Sequence, residues 1–317
     1  MCPEFSFSIV LETENLANAD INGLLRSLSS LASQEPSPIE AQEVLLIESG
    51  DIPPDLLAQL AEQYPWIKVC SAPTGTEYYE SKMLGAKLAT GDILVYYDSD
   101  CVYESGWLRK ILTPFKQSEE IQVVAGETTT SGVGIYGTAM ALGYIFPQYS
   151  ERTELTPGKS YFLNNVAFRR SFLLKYPIPT DLPLYRGNCA IHAHELVQSG
   201  TIIWQQPQAR VLHAPPNGLS HFFWRFLLIG HDYYWQKKLI PNSTNAEPTM
   251  SGKKGKFSIF VDRVGKMIDR DIRHAYFLIF SLPVVIVSSL LIYVGYLITK
   301  RQPNYLLQTY NQRLHSK

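Results

Sequence analysis

The sequence predicts an α/β fold, a mostly parallel sheet with flanking helices, that continues into one C-terminal transmembrane helix. Three features point there. Residues 5–127 alternate short apolar runs with amphipathic stretches in a βαβαβαβ rhythm. The runs are continuous rather than alternating, as in strands covered on both faces. From Ala275 to Thr299 no residue is charged, and such a run is long for a helix of a soluble domain.

Phe5–Leu11 opens the series as a β-rich run. Asp20–Gln34 sets Ile21, Leu24, Leu25, Leu28 and Leu31 at helical spacing behind an N-cap at Asn18 or Asp20. Glu43–Glu48 reads as a buried strand, Pro54–Gln63 as a helix opened by proline, Trp66–Ser71 as a strand and Tyr78–Ala89 as a helix ended by Gly91. Asp92–Tyr97 is a strand that runs straight into Asp98, Ser105–Lys116 a helix and Ile121–Glu127 a further strand. Residues 128–240 are less regular. Ser131–Phe146 is a glycine-bearing loop leading into a helix, Tyr161–Phe168 a strand, and Asn188–Gln198 a helix capped by Gly200. Thr201–Gln205 and Ala209–His213 read as two short strands around Pro207, and Gly218–Lys238 as an aromatic-rich amphipathic helix. The expected organisation is a domain over 1–240, in halves 1–127 and 128–240. A linker and juxtamembrane segment follow over 241–274, then a transmembrane helix over 275–299 and a short polar tail over 300–317.

Composition narrows the function classes. With 28 Lys+Arg against 29 Asp+Glu the net charge is -1, so no nucleic-acid partner is expected. The four cysteines are scattered without a CxxC pair, which points to neither a zinc ribbon nor a disulfide framework. The first residues lack a basic segment ahead of an apolar one, so no signal peptide is expected. Seven Lys/Arg between Lys253 and Arg273 against four after the apolar run favour a cytoplasmic N-terminal side. The expected localisation is single-pass and membrane-anchored, with the main domain cytoplasmic. A buried core helix or a monotopic segment are the other readings of 275–299.

Parallel sheets bind ligands at the carboxyl ends of their strands. Those positions hold Glu12–Asn15, Glu48–Asp51, Ala72–Thr76 and Asp98–Asp100. Asp98-Ser99-Asp100 is the strongest of them. Two carboxylates at i and i+2 after a buried strand are costly unless they meet a cation, and hard divalent ions take oxygen ligands. The alternative is an N-terminal capping arrangement for the helix at 105–116.

At this point the chain resembles the family 2, GT-A fold glycosyltransferases, over residues 5 to about 240. The resemblance rests on Glu12-Thr13-Glu14-Asn15, on Glu48 followed by Ser49-Gly50-Asp51, on Glu80–Asp92 ahead of the Asp98-Ser99-Asp100 strand, and on Asn164–Arg170. It implies a Rossmann-like GT-A fold, with a nucleotide-binding half 1–127 and an acceptor half 128–240. It also implies a UDP- or GDP-sugar donor and Mn²⁺ or Mg²⁺. Residues expected on the nucleotide are Glu12, Glu14, Glu48, Lys82 and Asp98. Those expected on the metal are Asp98, Asp100 and, after the strand Ala209–His213, His213, whose alternative role is a backbone-bonded strand end. One departure stands out. Where the family carries Glu-Asp at the start of the acceptor-side helix, this chain has Asn188-Cys189. Asn cannot take a proton, so Glu195 and His192 are the candidate bases. The expected activity is metal-dependent transfer of a sugar to a lipid-linked or polysaccharide acceptor at a bilayer. The alternative is a catalytically inactive GT-A-like binding or scaffold subunit of a polysaccharide assembly.

Overall fold

The computed structural model describes residues 5–13, 21–50, 52–240 and 256–315; the expected N-caps at Asn18 and Asp20, the candidate Glu14 and most of the linker lie outside them. The strands are β1 (Phe7–Glu12), β2 (Glu43–Glu48), β3 (Ile67–Ser71), β4 (Ile93–Tyr97), β5 (Cys101–Tyr103), β6 (Val123–Thr130), β7 (Thr156–Gly158), β8 (Asn165–Arg169) and β9 (Ile203–His213). The helices are α1 (Ile21–Ala32), α2 (Pro54–Gln63), α3 (Tyr78–Leu88), α4 (Trp107–Gln117), α5 (Gly134–Gly143), α6 (Arg170–Lys175), α7 (Asn188–Gln198), α8 (Gly218–Leu239), α9 (Lys256–Arg270), α10 (Arg273–Arg301) and α11 (Tyr305–His315). They fall into two compact units: Met1–Glu127, Glu151–Asp181 and Asn188–Val211 in the first; Thr128–Ser150, Leu182–Gly187 and Leu212–Lys317 in the second.

One sheet runs in the order β3-β2-β1-β4-β8-β6-β9-β5, with β7 paired to β9. β1–β2, β2–β3 and β1–β4 are parallel. Beyond β4 the sheet turns mixed: β8 pairs antiparallel with β4 and with β6. The strand expected at 121–127 therefore does not continue the parallel series, because Asn165–Arg169 inserts beside β4 first. The two strands expected around Pro207 form one continuous β9. Pro207 falls just after the stretch that pairs with β7, where Gln205 is the last partner, so its missing N–H breaks no β7 rung.

Alternation along the strands sorts the apolar side chains of the first unit onto two faces. Ile9, Leu11, Val44, Leu46, Ile93, Val95 and Tyr97 join Leu24 and Leu28 of α1 and Trp107, Leu108 and Ile111 of α4 in one core. Val10, Leu45, Ile47, Leu94 and Tyr96 join Met83 and Ala86 of α3 and Ala193 and Leu196 of α7 in the other. Each fully buried Ile, Leu or Val contributes about 1.5–3 kcal/mol relative to exposure. Gly85 lets α3 close on β1: a Cβ there would stand 2.3 Å from Val10 Cγ1.

The second unit is helical. Arg263 of α9 donates to the Leu142, Tyr144 and Phe146 carbonyls at the end of α5, groups that the last turn of a helix leaves open. α10 is the one described helix long and apolar enough to cross a membrane, with mean hydropathy 2.5 in its most apolar window. Its inward residues, His274, Ser281, Ser288 and Gly295, recur every seventh position. Gly230 and Gly295 bring α8 and α10 into backbone contact: a Cβ at Gly230 would lie 2.0 Å from the Ile292 carbonyl oxygen, and one at Gly295 2.1 Å from that of Leu227. The sequence at 300–317 reads as a polar tail; residues 305–315 instead form α11, with Leu306 and Tyr310 buried beside Leu228.

Candidate active site

In the first unit the parallel strands β1, β2, β3 and β4 end along one edge of the sheet, with Glu12 opposite Ile47 and Glu48 opposite Ser71. The candidate residues cluster at this edge because chain direction puts every strand end there. Glu12 is fully buried. Thr13 N donates to the Ile47 carbonyl at 3.1 Å, and Ser49 N donates to Thr13 Oγ1 at 3.3 Å, so the turns after β1 and β2 are tied together. Glu48 is half-buried and accepts from Gly50 N at 2.6 Å, a tight turn that Gly50 permits at φ 94°.

The turn after β4 is the most elaborate. Asp98 is 4% exposed and Lys82 is 0% exposed. Lys82 Nζ lies 2.6 Å from Asp98 Oδ1 and donates to the Tyr97 carbonyl at 2.5 Å. Tyr78 O–H reaches both oxygens of the same carboxylate, at 3.1 and 2.9 Å. Asp98 N donates to Tyr103 Oη at 2.9 Å, which donates on to the Asn164 carbonyl at 2.8 Å. Tyr97 and Tyr103 stack at 4.0 Å between centroids, and Trp107 Nε1 donates to Asn165 Oδ1 at 2.8 Å. Asn165 in turn donates to the Glu127 and Ala209 carbonyls, so one amide joins β6, β8 and β9 behind the turn.

This geometry divides the two carboxylates. Asp98, expected on both metal and nucleotide, is neutralised by Lys82 and held by Tyr78. Lys82, expected at the diphosphate, is turned inward with its ammonium satisfied. Both fix the turn. Asp100 is half-buried and is the hard oxygen donor that the turn presents. Cys101 Sγ lies 3.5 Å from Asp100 Oδ1. Burial, then the charges of Asp100 and Asp98, push the thiol well above its ordinary pKa.

On α7, Asn188 and Cys189 are buried. Asn188 Nδ2 donates to the Pro179 carbonyl at 2.7 Å. His192 is 2% exposed. Its Nε2–H donates to the Tyr176 carbonyl at 2.9 Å, and Nδ1 accepts from Tyr161 O–H at 2.6 Å. Burial holds its pKa down at about 4. Both ring nitrogens of His192 are committed in this arrangement, so a base role there requires that one of these hydrogen bonds be given up. Glu195 is exposed on the same helix.

In the second unit, His213 ends β9. Its Nδ1 donates to the Ala214 carbonyl at 2.5 Å, which leaves the lone pair on Nε2, the tautomer of a metal ligand. The sequence already offered His221 and Arg225 of the aromatic-rich helix as bases able to meet phosphate; the structure adds Arg186 to them. Arg225 Nε donates to Tyr144 Oη at 2.7 Å, and Arg225 and Arg186 flank the Tyr185 ring at 5.5 and 4.5 Å. Burial, then Arg225, His213 and Arg186, hold the His221 imidazole down at about 4. Arg186 comes from the irregular Leu182–Gly187 segment, which carries no such sequence pattern.

Comparison with known proteins bears on the family and the fold. The model of the glycosyl transferase family 2 matches residues 17–176, just over half of the 317-residue chain. N-acetylgalactosaminyltransferase 6 of Drosophila melanogaster is 26% identical over 33% of this chain and 16% of its own length, so the match spans about a sixth of that relative. Among solved structures, GalNAc-T7 with UDP, GalNAc and Mn²⁺ superimposes with a TM-score of 0.53 at 13% identity, covering 82% of this chain and 54% of the other. A mannosyltransferase from Pyrobaculum calidifontis, in complex with GDP-Man and Mn²⁺, gives 0.54 at 12% identity, covering 98% and 85%. These likenesses show the same GT-A fold. On the family match, the chain belongs to glycosyl transferase family 2.

Proposed function

We propose that the chain transfers a sugar from a nucleotide-diphosphate donor, UDP- or GDP-linked, to a lipid-linked or polysaccharide acceptor at a membrane. The observation that carries the reading is the turn after β4, where Lys82 and Tyr78 lock Asp98 and Asp100 is presented at the ligand-binding edge of the sheet. Glu12 and Glu48, ending β1 and β2, suit contacts to the nucleoside. Asp100 is the proposed ligand for Mn²⁺ or Mg²⁺. His213 is a second proposed donor, on the tautomer of its ring. Such an ion, when bound, neutralises charge developing on a diphosphate leaving group. The basic group Arg186, His221 and Arg225 forms a second place suited to phosphate oxygens. Glu195 is the carboxylate that α7 leaves exposed for proton removal. The membrane helix α10 keeps the protein where a lipid-linked acceptor is confined, with the first unit on the cytoplasmic side.

The second reading, a catalytically inactive binding subunit, is favoured by one observation: Asn188 and Cys189 are buried and non-carboxylate, and His192 is fully bonded. Isothermal titration of the purified full chain with UDP and GDP, with and without Mn²⁺, tests the proposal beside Asp100→Ala. Metal-dependent binding that the variant loses is expected. Binding without hydrolysis or transfer of any donor sugar would instead favour the inactive reading, and no binding by a folded protein would overturn the donor-site assignment and leave a scaffold role.

A further inference from the structure

We propose that α10 does not cross the bilayer but lies within one leaflet, with both of its ends on the side that carries the rest of the second unit. This rests on the reading that the protein works at a membrane, and it settles how the apolar helix meets it. The first observation is that both ends of α10 are tied to the same body. At its start, His274 Nδ1 and Thr138 Oγ1 of α5 share a hydrogen bond of 2.8 Å, and just before it Arg270 caps the Thr130 carbonyl. At its end, His231 Nδ1 of α8 meets Thr299 Oγ1 at 3.1 Å, and Trp235 donates to the Pro303 carbonyl. Immediately beyond, Tyr310 of α11 reaches Tyr185 at 3.2 Å. A helix crossing a bilayer delivers its two ends to opposite sides, about 30 Å apart.

The second observation is what a crossing would drag with it. α8 lies in backbone contact with the last third of α10 through Gly230 and Gly295. It carries half-buried Arg225, buried His231 and Asp232, and exposed Lys237 and Lys238. Asp232 also holds the irregular Leu182–Gly187 segment, accepting from Tyr185 N and Arg186 N at 2.7 and 2.9 Å. Each charged group placed at the centre of a bilayer costs about 2.5–3.5 kcal/mol on insertion scales, and irregular backbone at that depth must be buried in protein.

The third observation names the occupant. The protein-facing side of α10 is the stripe His274, Ser281, Ser288, Gly295 and Thr299, with Leu278, Val285, Tyr296 and Ile298 packed beside it. Tyr276, Ile279, Phe280, Ile286, Leu290 and Tyr293 are 56–76% exposed on the remainder. Lys300 and Arg301 stand exposed at the end of the helix, and Lys237 and Lys238 at the end of α8. A long apolar face bordered by cations and aromatics fits the acyl region of one leaflet beneath anionic headgroups. In that posture the 29 residues of α10, about 43 Å long, need not match the hydrocarbon thickness.

The test uses the full chain, diluted from detergent onto preformed vesicles of phosphatidylcholine and phosphatidylglycerol and recovered by flotation. A membrane-impermeant maleimide then reports on Ser105→Cys in the first unit and Gln312→Cys in α11, both at exposed positions, with the unsubstituted chain as background. We expect flotation, and equal labelling of both sites before and after detergent lysis. A fluorophore at Ile279→Cys, Ile286→Cys and Val294→Cys should report one common, shallow depth. Protection of Gln312→Cys until lysis, or a middle site much deeper than its neighbours, would overturn the in-plane posture while leaving membrane attachment standing. Failure to float would overturn the membrane reading itself.

Discussion

Replacing Lys82 with Met removes one member of a buried ion pair and leaves the other. Lys82 and Asp98 are 0% and 4% exposed and 2.6 Å apart. At an effective dielectric of ~20, that separation corresponds to a gross attraction of about 6 kcal/mol, most of it offset by the cost of taking two charges out of water. Removing one partner exposes that cost directly, and a loss of about 3–5 kcal/mol of folding free energy is expected for Lys82→Met. The double variant Lys82→Met/Asp98→Asn removes both charges and should recover most of the loss, because Tyr78 O–H still finds an amide oxygen. Urea unfolding of the wild type, both single variants and the double variant gives the coupling energy from the cycle. A Lys82→Met protein within about 1 kcal/mol of wild type, the range of an exposed pair, would refute the assignment of Lys82 as the internal counterion of the turn.

Further outcomes follow from other parts of the molecule. His192 is held neutral with its pKa at about 4, below the ~6.5 of an unfolded histidine. Its contribution is therefore present above pH ~6.5 and lost as the pH falls toward 4; between pH 7.5 and 5 the wild type should lose about 2 kcal/mol that His192→Gln does not, as read by urea unfolding at both pH values. Arg225→Met should weaken binding of a nucleoside diphosphate by about tenfold or more while leaving the nucleoside unchanged, as expected for a lost charge-assisted contact of about 1.5–3 kcal/mol; equal losses for both in calorimetry would remove the basic group from the phosphate reading. Gly230→Ala places a methyl 2.0 Å from the Ile292 carbonyl oxygen and should cost about 1–3 kcal/mol or more, visible as a lower thermal midpoint in detergent. Glu195→Gln should lower kcat for sugar transfer at least about 100-fold, as for a lost general base, with little change in donor affinity; unchanged turnover would remove Glu195 from the chemistry.

Much of the first unit was legible because buried parallel strands are written as unbroken apolar runs. β1, β2, β3 and β4 lie within a residue or two of their expected places. The antiparallel insertion of Asn165–Arg169 beside β4 was not legible, since neither length nor composition tells which neighbour a strand takes. The turn at Asp98 was legible by its carboxylates, and the structure adds at Lys82 the role of internal counterion to Asp98. The signal was present: Tyr78, Lys82, Gly85, Ala86 and Ala89 lie at helical spacing on the buried side of α3, so a lysine in an apolar stripe announced an internal partner. His192 resists the same reading, because its partners Tyr161 and Tyr176 come from distant segments. α11 was missed because the polar stretch at 305–315 shows its helical face only against α8.

The close approach of α8 and α10 has a practical consequence for handling the protein. Membrane-proximal helices are commonly cut away to obtain a water-soluble enzyme, and here the obvious cut falls before Arg273. That cut would remove a wall rather than an appendage. The Leu227 carbonyl, Gly230 and Tyr234 along α8 would lose the surface they lie against, and Thr138 would lose its partner His274. The shortened chain should therefore be less stable than the whole one, with a lower thermal midpoint.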